Sequence, residues 1–137
     1  MPRRSRAREV VLQLLYEADL NPGSNAARIE KFMTGRLSQD KELVAFATDL
    51  YNGVRRNYDE LDNLLTQRAT NWSLARMAAT DRNILRLGAY EILYTDTPNR
   101  VVINEAVELA KRFGAKKSPQ FVNGILDRFL PDEMEVD

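Results

Sequence analysis

The sequence predicts an all-α protein of about seven helices, divided into two halves. Apolar residues recur at helical spacing along most of the 137 residues, no segment alternates with the two-residue period of a strand, and turn residues separate the periodic stretches. A chain of this length buries about two-thirds of its unfolded surface, enough for a core without disulfide or metal staples.

The first helix is expected from about Arg4 to Leu20, where Ala7, Val11, Leu14, Leu15 and Ala18 form the apolar stripe. Helical geometry then puts Arg6, Glu9, Gln13 and Tyr16 on the outward side, with Arg4 and Arg8 flanking the stripe. Asn21-Pro22-Gly23-Ser24 ends it with turn chemistry. A shorter helix fits Ala26 to Leu37, with Ile29, Phe32, Met33 and Leu37 inward. Ser38 is placed to cap the next helix, with Asp40 in its first turn against the positive end of the dipole. Leu43, Phe46, Ala47, Leu50 and Val54 make that helix's stripe, which Tyr58, Leu61, Leu64 and Leu65 continue. Gly53 and Asn57-Tyr58 allow either a kink or a break, and periodicity does not choose. Thr70-Asn71 reads as the boundary between an N-terminal subdomain, about 1–70, and a C-terminal one, about 71–131.

Trp72-Ser73-Leu74 opens the second half as a short helical turn up to Met77, Trp72 reading as a core anchor in preference to a base-stacking platform. Thr80 or Asp81 is expected to cap a helix through about Tyr94. Its apolar arc holds Ile84, Leu85, Leu87, Gly88 and Ile92, with Glu91 in the middle. A carboxylate there must be hydrogen-bonded or ion-paired. A structural tie is the favoured reading over catalysis, because no second catalytic group lies nearby. After Thr97-Pro98, Val102 to Phe113 forms the next helix with Val102, Ala106, Ala110 and Phe113 on one side, and Gly114 stops it. Ser118-Pro119 pairs a capping serine with a proline at the first helical position. The last helix carries Val122, Ile125, Leu126 and Phe129 and ends at Pro131, leaving an acidic tail at 132–137 that is expected to fray.

Charge and inventory narrow the function. Twenty basic and twenty acidic residues cancel, and neither histidine nor cysteine occurs. This excludes disulfides, thiolate or imidazole metal sites and the Ser-His-Asp and Cys-His nucleophile arrangements. No glycine-rich phosphate loop, paired-carboxylate motif or dinucleotide fingerprint appears. No stretch approaches the roughly 20 apolar residues of a membrane span, and a cytoplasmic protein is expected. The charges are segregated, however. Arg3, Arg4, Arg6 and Arg8 precede the first acid, Glu9, while Asp132, Glu133, Glu135 and Asp137 crowd the far end. Most of the basic residues are arginine, which pairs with phosphate through two donors and stacks on bases. A nucleic-acid-binding arm and a solubilising N-terminus both fit the arginine run. Lys111, Arg112, Lys116 and Lys117 form a second cluster before Ser118, either an anion site at a helix start or a charged surface loop. Should the clusters meet, they make a groove for a nucleic-acid strand, with Tyr16 available for stacking.

Four stretches then bring a family into view. Asp81-Arg82-Asn83-Ile84-Leu85-Arg86-Leu87-Gly88-Ala89-Tyr90-Glu91 resembles the central helix of the NusB family of transcription antitermination factors. Asn104-Glu105-Ala106-Val107-Glu108-Leu109-Ala110-Lys111, followed by Phe113-Gly114 and Ser118, and then Phe121-Val122-Asn123-Gly124-Ile125-Leu126-Asp127, resemble its C-terminal signature. Arg6-Ala7-Arg8-Glu9 with Gln13, Leu15 and Tyr16 resembles the opening helix, so the likeness runs from about Arg3 to Phe129. It implies two small helical bundles packed at a steep angle. It also implies binding of the single-stranded boxA element of nascent RNA as a heterodimer with NusE, the small-subunit ribosomal protein. That complex joins RNA polymerase with other Nus factors and suppresses termination, notably in ribosomal RNA operons; no enzymatic activity, cofactor or metal is implied.

Carried onto this chain, the resemblance implicates Arg3, Arg4, Arg6 and Arg8 in RNA contact, with Tyr16 close by. Lys116, Lys117 and Phe121 belong to the family's second RNA-proximal region, Phe121 having an equal reading as a flank of the core stripe. Asp81 is nominated for the NusE contact. Lys116-Lys117 departs from members that carry acids in this loop, which is expected to strengthen backbone binding. Two rival classes stand beside this reading. One is a fragment of a ribosomal RNA cytosine methyltransferase carrying such a domain, against which the missing length and catalytic cysteine count. The other is a helical protein-interaction adaptor, or a homodimer whose arginines serve the subunit contact.

Overall fold

Ala7, Val11, Leu14, Leu15 and Ala18 are all buried, and the helix they specify, α1, runs Arg3–Leu20 in the computed structural model of the chain. Residues 3–21, 23, 25–69 and 73–131 are described. Seven α-helices and one 3-10 turn, Leu74–Arg76, make up the regular structure of those residues, with no strand among them: α1, α2 (Ala26–Arg36), α3 (Lys41–Arg56), α4 (Tyr58–Arg68), α5 (Ala79–Tyr94), α6 (Asn99–Phe113) and α7 (Ser118–Asp127). The fold class is all-α, as periodicity predicts. Pro22, Ser24, Thr70, Asn71, Trp72 and the acidic tail at 132–137, on which expectations also rested, lie outside the described residues.

The chain divides into two units between Tyr58 and Asp59. In the first, α1 packs on α3, and α2 lies against both. Met33 and Leu37 are buried from α2, and Leu43, Ala47, Leu50 and Val54 from α3. Val10 and Leu12, off the expected stripe of α1, are buried too, and so is Glu9, expected outward, which pairs with Arg6 at 3.3 Å. Ser38 does not cap α3. Ser38 and Gln39 both adopt left-handed backbone (φ 55° and 58°) to reverse the chain, so Asp40 is the first extended residue and its Oδ1 accepts the Leu43 N–H at 3.1 Å. The stretch beyond is two helices. Gly53 is an ordinary buried position in α3, and Asn57 ends it, donating both its N–H and its side-chain amide to the Gly53 carbonyl.

In the second unit α5 packs on α6 and α7, which also pack on each other. The division falls earlier than the expected boundary near Thr70 because α4 is tied to later elements. Arg86 of α5 holds Asp62 with two hydrogen bonds, Tyr94 Oη donates to Glu60 at 2.5 Å, and Arg68 Nε donates to the Arg128 carbonyl at 3.2 Å. Leu61, Leu65, Ile84, Leu85, Leu87, Val102, Ala106, Ala110, Val122, Ile125 and Leu126 are buried in this unit. Gly88 is required by space: a Cβ there would stand 2.7 Å from Leu126 Cδ1.

Several helix ends differ from expectation. Neither Thr80 nor Asp81 caps α5. It starts at Ala79, and the Ala78 carbonyl accepts the Arg82 N–H, while the Arg82 side chain folds back onto the Leu74 and Met77 carbonyls. α6 starts at Asn99 rather than Val102, because Pro98, with φ already at −56°, serves as its first flanking residue. α7 ends at Asp127, short of Pro131, and three i→i+3 hydrogen bonds tighten the chain through Leu130. Glu91 is buried as expected and has an interaction partner, which fits the structural tie.

Candidate nucleic-acid interface

In the first unit the helical turns at the start of α1 set four arginines in four different environments. Arg3 hydrogen-bonds the Asp40 carboxylate, and that contact, reinforced by the Leu43 N–H, holds the Asp40 carboxyl below its ordinary range. Arg6 pairs with Glu9. The guanidinium carbons of Arg4 and Arg8 lie 4.4 and 5.2 Å from the centroid of the same ring, Phe46 of α3. Arg4 is exposed, whereas Arg8, expected at the flank with it, is only 4% exposed. A helix cannot turn residues 4, 6 and 8 to one side, and the one turned inward is Arg8. Farther along α1, Gln13 is exposed and Tyr16 is 40% exposed, about 18 Å along the axis from Arg4.

In the second unit the α6–α7 turn carries Lys116 and Lys117, both exposed and neither in an ion pair with any described residue. Lys111, assigned to the same cluster, pairs with Glu108 at 3.6 Å on its own helix. Phe121 is half-buried in the first turn of α7. Ser118 is not the cap of α7 but its first residue. Its hydroxyl accepts the Ala115 N–H at 2.9 Å and its own N–H donates to the Ala115 carbonyl at 3.0 Å, closing the turn that presents the lysines.

Gly114 makes that closure possible. Its φ of −96° suits any residue, but a Cβ would fall 2.6 Å from Ser118 Cβ and 2.8 Å from the Ala110 carbonyl oxygen. Backbone on one side and a buried serine on the other leave nothing free to move. Gly114→Ala is expected to lower stability by about 2 kcal/mol. Urea denaturation checks it, and an unchanged midpoint would show that the turn relaxes without cost.

Phe113 departs from expectation. Predicted on the apolar side of α6, it is 47% exposed with the Arg112 guanidinium 5.5 Å from its ring centroid. It ends the helix, where the packed face no longer has a neighbouring turn to bury it. Asp81 lies in the first turn of α5, where the dipole favours its charge, and its Oδ1 is buried with no hydrogen-bond partner among the described residues. Among the described residues no group of His, Cys, Asp or Glu is placed to hold a metal, and no helix is long and apolar enough to cross a membrane.

Residues 5–131, nearly all of the described chain, match the NusB family. The chain belongs to the NusB family. The transcription antitermination protein NusB of Geobacter sp. strain M21 is 46% identical to it, over 93% of each chain. The structure of T. maritima NusB superposes with a TM-score of 0.81 at 37% identity, covering 93% of this chain and 89% of that one. A chain in the crystal structure of the antitermination factors NusB and NusE in complex with dsRNA gives a TM-score of 0.82 at 27% identity, over 93% of this chain and 96% of that one.

Two residues beside these basic groups, one in each unit, were not legible in advance. Phe46 lies 42 positions from Arg4 and has the spacing of a core residue, because a half-buried ring facing two guanidiniums recurs on the helix like one facing leucines. Phe113 carried a signal that periodicity hides, namely its place at the last position before the helix stop.

Proposed function

We propose that this chain binds boxA-type single-stranded RNA together with NusE and, with other Nus factors, helps to assemble an antitermination complex on RNA polymerase, notably in ribosomal RNA operons. The observation that carries the reading is its likeness, over 93% of its length, to a protein named for transcription antitermination. A related NusB has been crystallised with NusE and dsRNA, which supports NusE and RNA as the two partner classes here. The role is recognition without bond-making chemistry, and it belongs in the cytoplasm.

The residues divide the work by chemistry. Arg4 supplies a phosphate contact at the start of α1, Arg3 and Arg6 add to it with the donors that Asp40 and Glu9 leave, and Lys116 and Lys117 supply a second set from the α6–α7 turn. Arg8, being buried, acts from within by packing and field. Tyr16, Phe121 and the exposed Phe113 offer ring faces on which splayed bases stack, the mode by which single strands are read. Asp81, in the first turn of α5, contributes to the NusE contact.

The test is binding of a fluorescent boxA strand against a scrambled strand, with and without NusE, across a salt series. Preference for boxA that strengthens with NusE is expected. With roughly five single-strand phosphate contacts, log affinity should fall against log salt with a slope of about −3.5. Equal, weak binding of both strands would reduce the protein to a basic helical adaptor, and a flat salt dependence would remove the arginines and lysines from the mechanism.

A further inference from the structure

We infer that Phe46 is a positioning residue of the RNA face, holding the Arg4 guanidinium over its ring so that the in-plane N–H donors of Arg4 stand ready for a phosphate. The inference rests on the RNA-binding reading above and deepens it. Of the arginines at the start of α1, Arg3 is engaged by Asp40, Arg6 by Glu9, and Arg8 is buried with partners of its own. Arg4 alone among these is exposed and makes no hydrogen bond or ion pair with any described residue; its interaction is with the Phe46 ring, 4.4 Å away.

The chemistry of the two groups makes this arrangement useful. A guanidinium over an aromatic ring engages its flat face and leaves its N–H fork, which lies in the plane, for a bidentate oxyanion contact. A long exposed side chain loses rotamer freedom when it grips a phosphate, and a ring that already restrains it removes part of that loss. Phe46 is half-buried on α3, a helix that packs on α1, so the ring has a fixed seat. Arg8 at 5.2 Å from the same centroid bears on the ring as well, which adds to its restraint.

The test measures boxA RNA binding by the wild-type protein, Phe46→Leu, Phe46→Tyr, Arg4→Ala and the Arg4→Ala/Phe46→Leu double variant, with helicity and melting followed for each. Phe46→Leu is expected to weaken binding about two- to fivefold, the range of an exposed cation–π contact, with the salt slope unchanged because no charge is lost. Phe46→Tyr, which keeps the ring, restores wild-type affinity. Arg4→Ala weakens binding and makes the slope shallower by about 0.7. In the Arg4→Ala background, Phe46→Leu has no further effect. Phe46→Met is a second ringless variant should Phe46→Leu unfold. Wild-type affinity in the ringless variants, or an equal loss with and without Arg4, overturns the positioning role while leaving RNA binding intact. Failure of the wild-type protein to bind RNA at all overturns the functional reading first, and this role with it.

Discussion

Asp62→Ala is expected to cost about 3 kcal/mol of stability and to lower the melting temperature by roughly 10 °C, more than Arg86→Met does. Arg86 reaches from α5 to α4 with a two-pronged grip, Nε to Asp62 Oδ1 at 2.7 Å and Nη2 to Oδ2 at 2.9 Å. Its Nη1 donates to Asn83 Oδ1 at 3.0 Å, and the Asn83 amide donates in turn to the Ala79 carbonyl at 2.8 Å. The side chains are 6% exposed for Arg86 and 29% for Asp62, and that difference sets the asymmetry. Without Asp62 a buried guanidinium that cannot shed its proton loses a two-pronged carboxylate partner. Without Arg86 the carboxylate turns to water, and the loss is smaller. Urea and thermal unfolding of both single variants and of the pair measure this. The double variant is expected to recover much of the Asp62→Ala loss, since it removes the buried charge that Asp62 compensated. Equal losses from the two single variants would show that hydration does not distinguish the partners.

Leu126→Ala is expected to destabilise by about 3 kcal/mol, within the range for a large-to-small change at a fully buried site. Its neighbour makes the sharper test. Gly88 leaves the space that the Leu126 methyl occupies, 2.7 Å from where a Cβ would stand. In the wild-type protein Gly88→Ala forces a packed leucine to shift, and the overpacking exceeds the roughly 1 kcal/mol gained from helix propensity. Once Leu126 is truncated, the same alanine fills vacated space and keeps its propensity gain, so Gly88→Ala changes sign and restores about 1 kcal/mol. Denaturant midpoints for the four proteins decide it. Additive effects would mean that α5 and α7 adjust independently, contrary to the close approach at Gly88.

What was legible in the sequence was whatever local spacing governs. The all-α class, the apolar stripes of α1, α3 and α7, the burial of Glu91 and the family likeness follow from periodicity, turn residues and motifs, whereas the break between α3 and α4 does not. Helix starts were less legible, because a start depends on what the neighbouring backbone does. Two left-handed residues moved the cap from Ser38 to Asp40, and Ser118 bonded backwards to Ala115 instead of capping α7. The candidate surface divides in the same way. The sequence by itself determined which charges the chain carries and that arginines lead α1 while lysines precede α7. Only the tertiary structure decided which of those charges have donors left for a ligand. Arg3 meets Asp40 and Arg4 meets Phe46 across 37 and 42 positions of chain, and Arg8 turns inward where Arg4 does not. Such pairings form when helices pack, and the energy of a charge depends on the burial and partners that packing alone assigns.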